Sequence, residues 1–280
     1  MKTLKAAILR ALRFIFFGVP NVDVRVGVSK IDAGKILEGK CVLIAGGTRG
    51  LGFAFAQRFL EAGASVIITG RKKDALDAAV AKLGGACAGI VFDSAAVGEL
   101  DSFFKKAVEM SPAKHIDALV YNSGISLHEG SFERVSEENF DAQFGVNLKG
   151  AYFFAKSYVA ALDEARGGNI LFISSERGLY CDDMPYGLTK AALNSFARGL
   201  ARRLARRNIR VNAIAPGVTA SDMTGYGRDE NLFRQSSCGG RVFLPEEVAE
   251  VALFLLSNAS NCISGEIIAC NQGNALRADC

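Results

Sequence analysis

Tyr186 and Lys190 stand four positions apart in Tyr-Gly-Leu-Thr-Lys. On a helix that spacing puts both side chains on one face. An ammonium beside a phenol favours the phenolate, so the Tyr186 pKa is expected below its usual ~10. Such a tyrosine can serve as an acid or base near neutral pH. The pair is common by chance and gains weight only from its surroundings. Ser174 and Ser175 supply them, because they follow the apolar run Asn169–Ile173. In an open parallel sheet, ligands sit beyond the carboxyl ends of the strands. A serine there can face a tyrosine on the following helix.

A second constellation is Ala45-Gly46-Gly47-Thr48-Arg49-Gly50-Leu51-Gly52, set between a short apolar run and a helical pattern. Glycines let the backbone turn tightly and approach a pyrophosphate, which the amides and dipole of the next helix then hold. A glycine cluster alone also fits a bare tight turn; strand, glycines and helix in that order favour dinucleotide binding. The next strand ends at Thr69-Gly70-Arg71-Lys72-Lys73. An NAD site usually places an acid here for the ribose 2′-hydroxyl. Arg71 can instead fork onto a 2′-phosphate, and Arg49 can share it. A solvated helix start is the plainer reading of these cations.

The elements that must position these groups follow a regular rhythm. Apolar strand-like runs at Cys41–Ala45, Ser65–Thr69, Ala88–Phe92, Asp117–Val120, Asn169–Ile173, Val211–Ile214 and Glu266–Ala269 alternate with helical patterns. One of these helices is expected to run unbroken over Glu137–Leu162. Alternation of this kind means an α/β fold, a doubly wound parallel sheet of about seven strands with helices on both faces. The chain has 280 residues, half of them hydrophobic, with 30 glycines and 5 prolines. That composition excludes collagen-like and disordered classes. The net charge of +4 is too small to suggest a nucleic-acid partner. Seven scattered cysteines without a CxxC, and two histidines, give no metal-site spacing and fit reduced thiols in a cytoplasmic setting.

With these elements in place, the chain resembles the short-chain dehydrogenase/reductases from about Lys40 to Gly273. The motifs are AGGTRGLG at 45–52, YNSG at 121–124, VNLKG at 146–150, ISS at 173–175, YGLTK at 186–190, RVNAIAPG at 210–217 and PEEVA at 245–249. The resemblance is greatest to the β-ketoacyl carrier-protein reductase-like branch. It implies a Rossmann domain over residues 40–280 that transfers hydride between NADP(H), preferred over NAD(H), and a ketone or β-ketoacyl group. By motif, Ser175 would hold the substrate oxygen, Tyr186 would exchange its proton, Lys190 would tune the tyrosine and hold the nicotinamide ribose, and Asn147 would anchor a relay water. Gly46, Thr48, Arg49, Gly50, Leu51, Gly52, Arg71, Asp93, Asn122, Gly124, Tyr186, Lys190, Pro216, Gly217, Val218 and Ser221 would line the cofactor. The loop from Ser175 to Tyr186 is shorter than the family usually carries, which leaves Ser174 and Ser175 both open. Glu176, directly after the serine, is also less typical.

The substrate is implied to be a small carbonyl or alcohol, with an acyl carrier protein as one carrier. Steroids, sugars and polyols are the alternatives within the family. A non-catalytic cofactor-binding regulator is the alternative of another class; the presence of Ser175, Tyr186, Lys190 and Asn147 argues against it. The resemblance further implies a homotetramer or homodimer built on the helices after the fourth and fifth strands. Thr219–Leu244 is expected to form the lid, where Met223, Tyr226, Leu232 and Phe233 fit either an apolar ligand or ordinary packing.

Residues 1–39 precede that domain as an extension. Leu4–Phe17 reads as a helix with Lys2, Lys5, Arg10 and Arg13 on one side and apolar residues on the other, stopped by Gly18-Val19-Pro20. It is too short to span a bilayer. Packing on the domain or a neighbouring subunit, peripheral contact with a membrane, and disorder all remain open readings. Val22, Val24, Val26 and Val28 then alternate as a strand would. Arg198, Arg202, Arg203, Arg206, Arg207 and Arg210 crowd one helix end, as a solvated face or as a docking site for an acidic partner, such as an acyl carrier protein, or for anionic lipid.

Overall fold

The computed structural model describes residues 8, 11, 12, 15, 16, 22–27, 34–163, 165–227 and 230–276. Seven parallel strands form one sheet: β1 Cys41–Ala45, β2 Ser65–Gly70, β3 Cys87–Val91, β4 Ala118–Tyr121, β5 Gly168–Ile173, β6 Ile209–Pro216 and β7 Ile267–Cys270. Their order is β3-β2-β1-β4-β5-β6-β7. The chain leaves β1 for one side of the sheet and returns at β4 on the other. The crevice between the ends of β1 and β4 is therefore where a ligand is expected.

The helices are α1 Gly50–Glu61, α2 Lys73–Leu83, α3 Leu100–Met110, α4 Glu137–Phe144, α5 Ala151–Ala161, α6 Pro185–Leu204 and α7 Pro245–Leu256. Alternate residues of each strand face opposite layers. Cys41, Leu43 and Ala45 join Phe103, Phe104, Phe154 and Leu193 beneath α3, α5 and α6. Val42 and Ile44 join Phe55, Phe59, Leu76 and Leu253 beneath α1, α2 and α7. Burial on both faces explains why the strands read as continuous apolar runs.

Two expectations are corrected. The helix expected over Glu137–Leu162 is interrupted by a π-helical turn at Gly145–Gly150. There the backbone widens by one residue per turn, the kind of local insertion often found at functional sites. The strand expected over Val22–Val28 is described only as far as residue 27, and those residues form no ladder within the sheet. Residues 22–27 run extended beside the lid, with Val24 and Val26 half-buried and Asp23 and Arg25 exposed. The period-2 pattern was a true sign of one covered side, but the covering surface is a loop. Most of the expected helix over Leu4–Phe17 lies outside the described residues; Ile8, Ala11, Leu12, Ile15 and Phe16 within it are helical and exposed.

Candidate active site

A cavity of about 1240 Å³ opens at the carboxyl ends of the strands. One end is built by the loop from β1 into α1. Gly46 has φ +81°, and its amide donates to Thr69 Oγ1 at 3.1 Å. Asn122, just past β4, donates from Nδ2 to the Gly46 carbonyl at 2.6 Å. Gly52 must pass this pair closely: a Cβ there would lie 2.0 Å from Gly46 O and 2.7 Å from Asn122 Nδ2. Gly52 thus holds α1 against the crevice without lining the cavity itself. The first turn of α1 has neither an acidic residue nor a side-chain cap. Its amides and positive dipole end face the cavity, an environment suited to a pyrophosphate. Thr48, Arg49, Gly50 and Leu51 line this end together with Arg71, Asp93 and Gly124. Arg49 NH1 meets Asp222 of the lid at 2.8 Å, an exposed pair that a bound phosphate can replace at little cost. These donors and the shape of the crevice fit a dinucleotide.

The other end is built by β5, the loop after it, and α6. Pro185 starts α6 with its φ already set for a helix. Ser175, Tyr186 and Lys190 all line the cavity. Ser174 is buried, with Oγ donating to Lys190 O at 3.3 Å. The Ser175 hydroxyl is the one beside the phenol, and it accepts the Arg177 amide at 3.3 Å. Ser174 also lines the cavity, so the two serines differ in their partners rather than in access.

Lys190 is only 3% exposed and donates to Ile173 O at 2.8 Å. Burial pushes its pKa down to about 8. The expected depression of the Tyr186 pKa is not found. Burial raises it above the ordinary value, against the opposing pull of the Ser175 hydroxyl and the Arg177 guanidinium. Lys190 Nζ is bonded to a strand carbonyl and sits 5.5 Å from the centre of the Tyr186 ring.

Asn147 stands behind the pair formed by Tyr186 and Lys190. It is fully buried in the π-helical turn and does not line the cavity. Its Oδ1 accepts the Ile125 amide at 2.8 Å, while Nδ2 donates to Ile125 O at 2.9 Å and to Thr189 Oγ1 at 3.1 Å. Both amide hydrogens are used within the protein. The side chain fixes the loop after β4 and ties it to α6.

The shortened loop before Tyr186 is closed by an ion pair that spacing did not reveal. Arg177 forks onto Asp182 at 2.5 and 2.6 Å, and Asp182 also accepts the Met184 amide at 3.0 Å. The carboxylate tucks under the first turn of α6, where a Cβ on Gly187 would come within 2.0 Å of it. The sequence signal was an acid a few residues ahead of a helix that starts Pro-Tyr-Gly. Glu176 points toward the C-terminal turn, where it accepts from Asn274 Nδ2 at 2.9 Å, and Asn274 Oδ1 accepts the Cys238 amide of the lid at 3.1 Å. Pro216, Gly217, Val218 and Ser221 line the cavity where β6 enters the lid, as do Met223, Tyr226 and Arg234.

The arginines at the end of α6 lie elsewhere. Arg202 is sixteen residues past Tyr186, about 24 Å along the helix at ~1.5 Å per residue. Arg210 spends its guanidinium on the carbonyls of Ser257 and Ile263. This cluster is not at the cavity mouth.

Fold and cavity together define a Rossmann-type oxidoreductase. Residues 45–275 match the family described as Enoyl-(Acyl carrier protein) reductase. The chain is 35% identical over 245 residues to the 3-oxoacyl-(acyl-carrier-protein) reductase FabG of Aquifex aeolicus, covering 85% of this chain and 98% of that protein. It is 30% identical over 264 residues to dehydrogenase/reductase SDR family member 4 of Sus scrofa, covering 91% and 94%. Among solved structures it is similar to a 3-ketoacyl-(acyl-carrier-protein) reductase from Brucella melitensis complexed with NADH. That match has a TM-score of 0.79 and 29% identity, over 85% of this chain and 99% of the other. The chain belongs to the short-chain dehydrogenase/reductase family.

Proposed function

We propose that this protein is an NADP(H)-dependent reductase of a ketone or β-ketoacyl group. The observation that carries the reading is the grouping of Ser175, Tyr186 and Lys190 at one end of a cavity whose other end is the uncapped N-terminus of α1. A nicotinamide dinucleotide bound there supplies the hydride. Ser175 holds the carbonyl oxygen with its hydroxyl. Tyr186 gives that oxygen its proton. The phenol is protonated at neutral pH, which is the form a proton donor to a carbonyl needs. Lys190 keeps a positive charge beside the phenol ring and holds the ribose of the cofactor. Asn147 acts through the backbone of Ile125 by fixing the loop on which Gly124 lies. Arg71, exposed at the end of β2 with no acid in its place, selects the 2′-phosphate, and Arg49 assists it.

The relatives named as 3-oxoacyl-(acyl-carrier-protein) reductases support an acyl thioester as substrate class. An assembly through α5 and α6 fits the half-exposed Tyr152, which stacks on Phe196. The N-terminal helix suits the surface of an anionic membrane. Ile15 and Phe16 are 72% and 73% exposed, Ile8 and Leu12 extend the same apolar arc, and residues 1–22 hold four cationic side chains and no acid.

The test is a panel of carbonyls, acyl thioesters included, run with NADPH and with NADH. Turnover should be seen with a 3-oxoacyl thioester and should favour NADPH. Charge-assisted bonds are worth ~1.5–3 kcal/mol, so Arg71→Asp should cost about one to two orders of magnitude in NADPH affinity. Equal kcat/KM for the two cofactors in the unaltered protein overturns the NADP(H) assignment.

A further inference from the structure

The lid between β6 and α7 is held first by itself. Phe243 N donates to Val218 O at 2.9 Å, and Ala220 N donates to Phe243 O at 2.8 Å. Farther out, Val242 N donates to Leu232 O at 2.8 Å. Leu232 has one backbone group left, its amide, and that amide leaves the lid. It donates to Val24 O at 3.2 Å. Asn231 completes the connection from both ends of its side chain. Oδ1 accepts the Val24 amide at 2.9 Å and the Phe233 amide at 2.9 Å, while Nδ2 donates to Val22 O at 2.9 Å. Residues 22–26 thus add an extended edge to the outer lid through three hydrogen bonds.

Packing repeats the connection. Ala220, Leu232, Val242 and Leu244 form a small core apart from the two sheet cores, and Val26, Val218 and Tyr226 pack against it. Val218 and Tyr226 line the cavity. Val26 thus shares one small core with Tyr226 and Val218, which present a wall to a ligand. Arg234, two residues past Leu232, lines the same cavity. The cofactor end, from Gly46 to Leu51 and at Arg71, receives none of the contacts described for residues 22–26.

We infer that residues 22–26 are a built-in strap that fixes the substrate wall of the cavity, with Asn231 as the positioning residue that fastens it. The inference rests on the proposed reductase site for its consequence, but on geometry alone for its existence. A fastened lid is ordered before substrate arrives. An unfastened lid must be ordered by the substrate, which weakens apparent substrate affinity and leaves cofactor affinity alone.

The test uses the full chain and four measurements. Net hydrogen bonds are worth about twofold to tenfold each, so Asn231→Ala should raise the carbonyl KM by about that factor or more. Its NADPH dissociation constant should stay within about twofold. Asn231→Asp keeps the acceptor for Val24 and Phe233 but turns an oxygen toward the Val22 carbonyl in place of the donor. It should recover part of the KM, in proportion to the bonds it keeps. Val26→Asp places a charge against the small core, and amide exchange at Leu232 should then quicken while Ala220 and Phe243 at the lid base keep their protection. An unchanged KM in Asn231→Ala overturns the inference. So does equal Leu232 exchange in Val26→Asp and the unaltered protein. The exchange measurement needs no turnover, so it decides the strap even if the proposed reaction fails.

Discussion

Lys190 and Tyr186 share one helix face, yet burial moves their proton affinities apart. Lys190 falls to about 8 and Tyr186 rises above its ordinary value. Both directions follow from desolvation disfavouring the charged form, which is the ammonium for lysine and the phenolate for tyrosine. The consequence is a pH profile. For carbonyl reduction, kcat/KM should be level below about pH 7 and fall as pH passes through about 8, because Lys190 then loses its proton. For alcohol oxidation it should rise with pH, because phenolate becomes available. Initial rates in both directions across that range check the sign. A reduction rate that climbs through pH 8 would remove Lys190 from the role given to it. Stability follows the same linkage. The folded protein binds fewer protons than the unfolded chain between about pH 8 and the ordinary lysine value near 10.5, so the cost of burying this charge is present below pH 8 and is relieved as pH rises. Lys190→Met should therefore leave the melting temperature at pH 7 unchanged or higher while removing activity.

At the scale of elements, the sheet and its helices were legible because the central strands are buried on both faces and most helices on one. The two faces of β1 show the rule in five residues. What spacing could not show was interruption and tethering. The π-helical turn at Gly145–Gly150 lies inside a helical sequence with no proline to mark it. The Arg177–Asp182 fork depends on how a loop folds back under α6. The direction of Lys190 Nζ depends on a strand carbonyl distant in sequence. Each is set by tertiary context, which periodicity does not carry. A further tie of this kind joins α1 to α7. Arg58 Nε meets Glu250 Oε1 at 2.6 Å, and NH2 meets Oε2 at 3.2 Å, with both side chains at least nine-tenths buried. Removing one partner strands a buried charge. Arg58→Ala should thus cost about 3–5 kcal/mol in chemical denaturation, and the apolar pair Arg58→Met with Glu250→Leu should cost clearly less. Equal losses in the two variants would mean that packing alone accounts for the effect.

For the whole molecule, the sheet and its helices lie in residues from about 40 onward, and the described residues ahead of them stand in two groups. Residues 22–26 lie on the lid. The helix that holds Ile8, Leu12, Ile15 and Phe16 presents its apolar side outward. With the cations of that segment, the full-length protein should sediment with anionic vesicles and do so less at high salt. Replacing Ile15 and Phe16 by glutamate should abolish sedimentation without changing NADPH affinity. If the unaltered chain stays in the supernatant and the double variant changes oligomer size instead, the apolar side belongs to a subunit contact.

The central claim is that Tyr186 protonates a carbonyl in a nicotinamide-dependent reduction. It is tested most directly by following loss of NADPH absorbance with a 3-oxoacyl thioester, for the unaltered protein and for Tyr186→Phe, alongside NADPH binding to each. Positioned acid groups contribute about 10²–10⁴-fold, so the variant should lose that much kcat with NADPH affinity within about twofold. Near-native turnover in Tyr186→Phe would contradict the account.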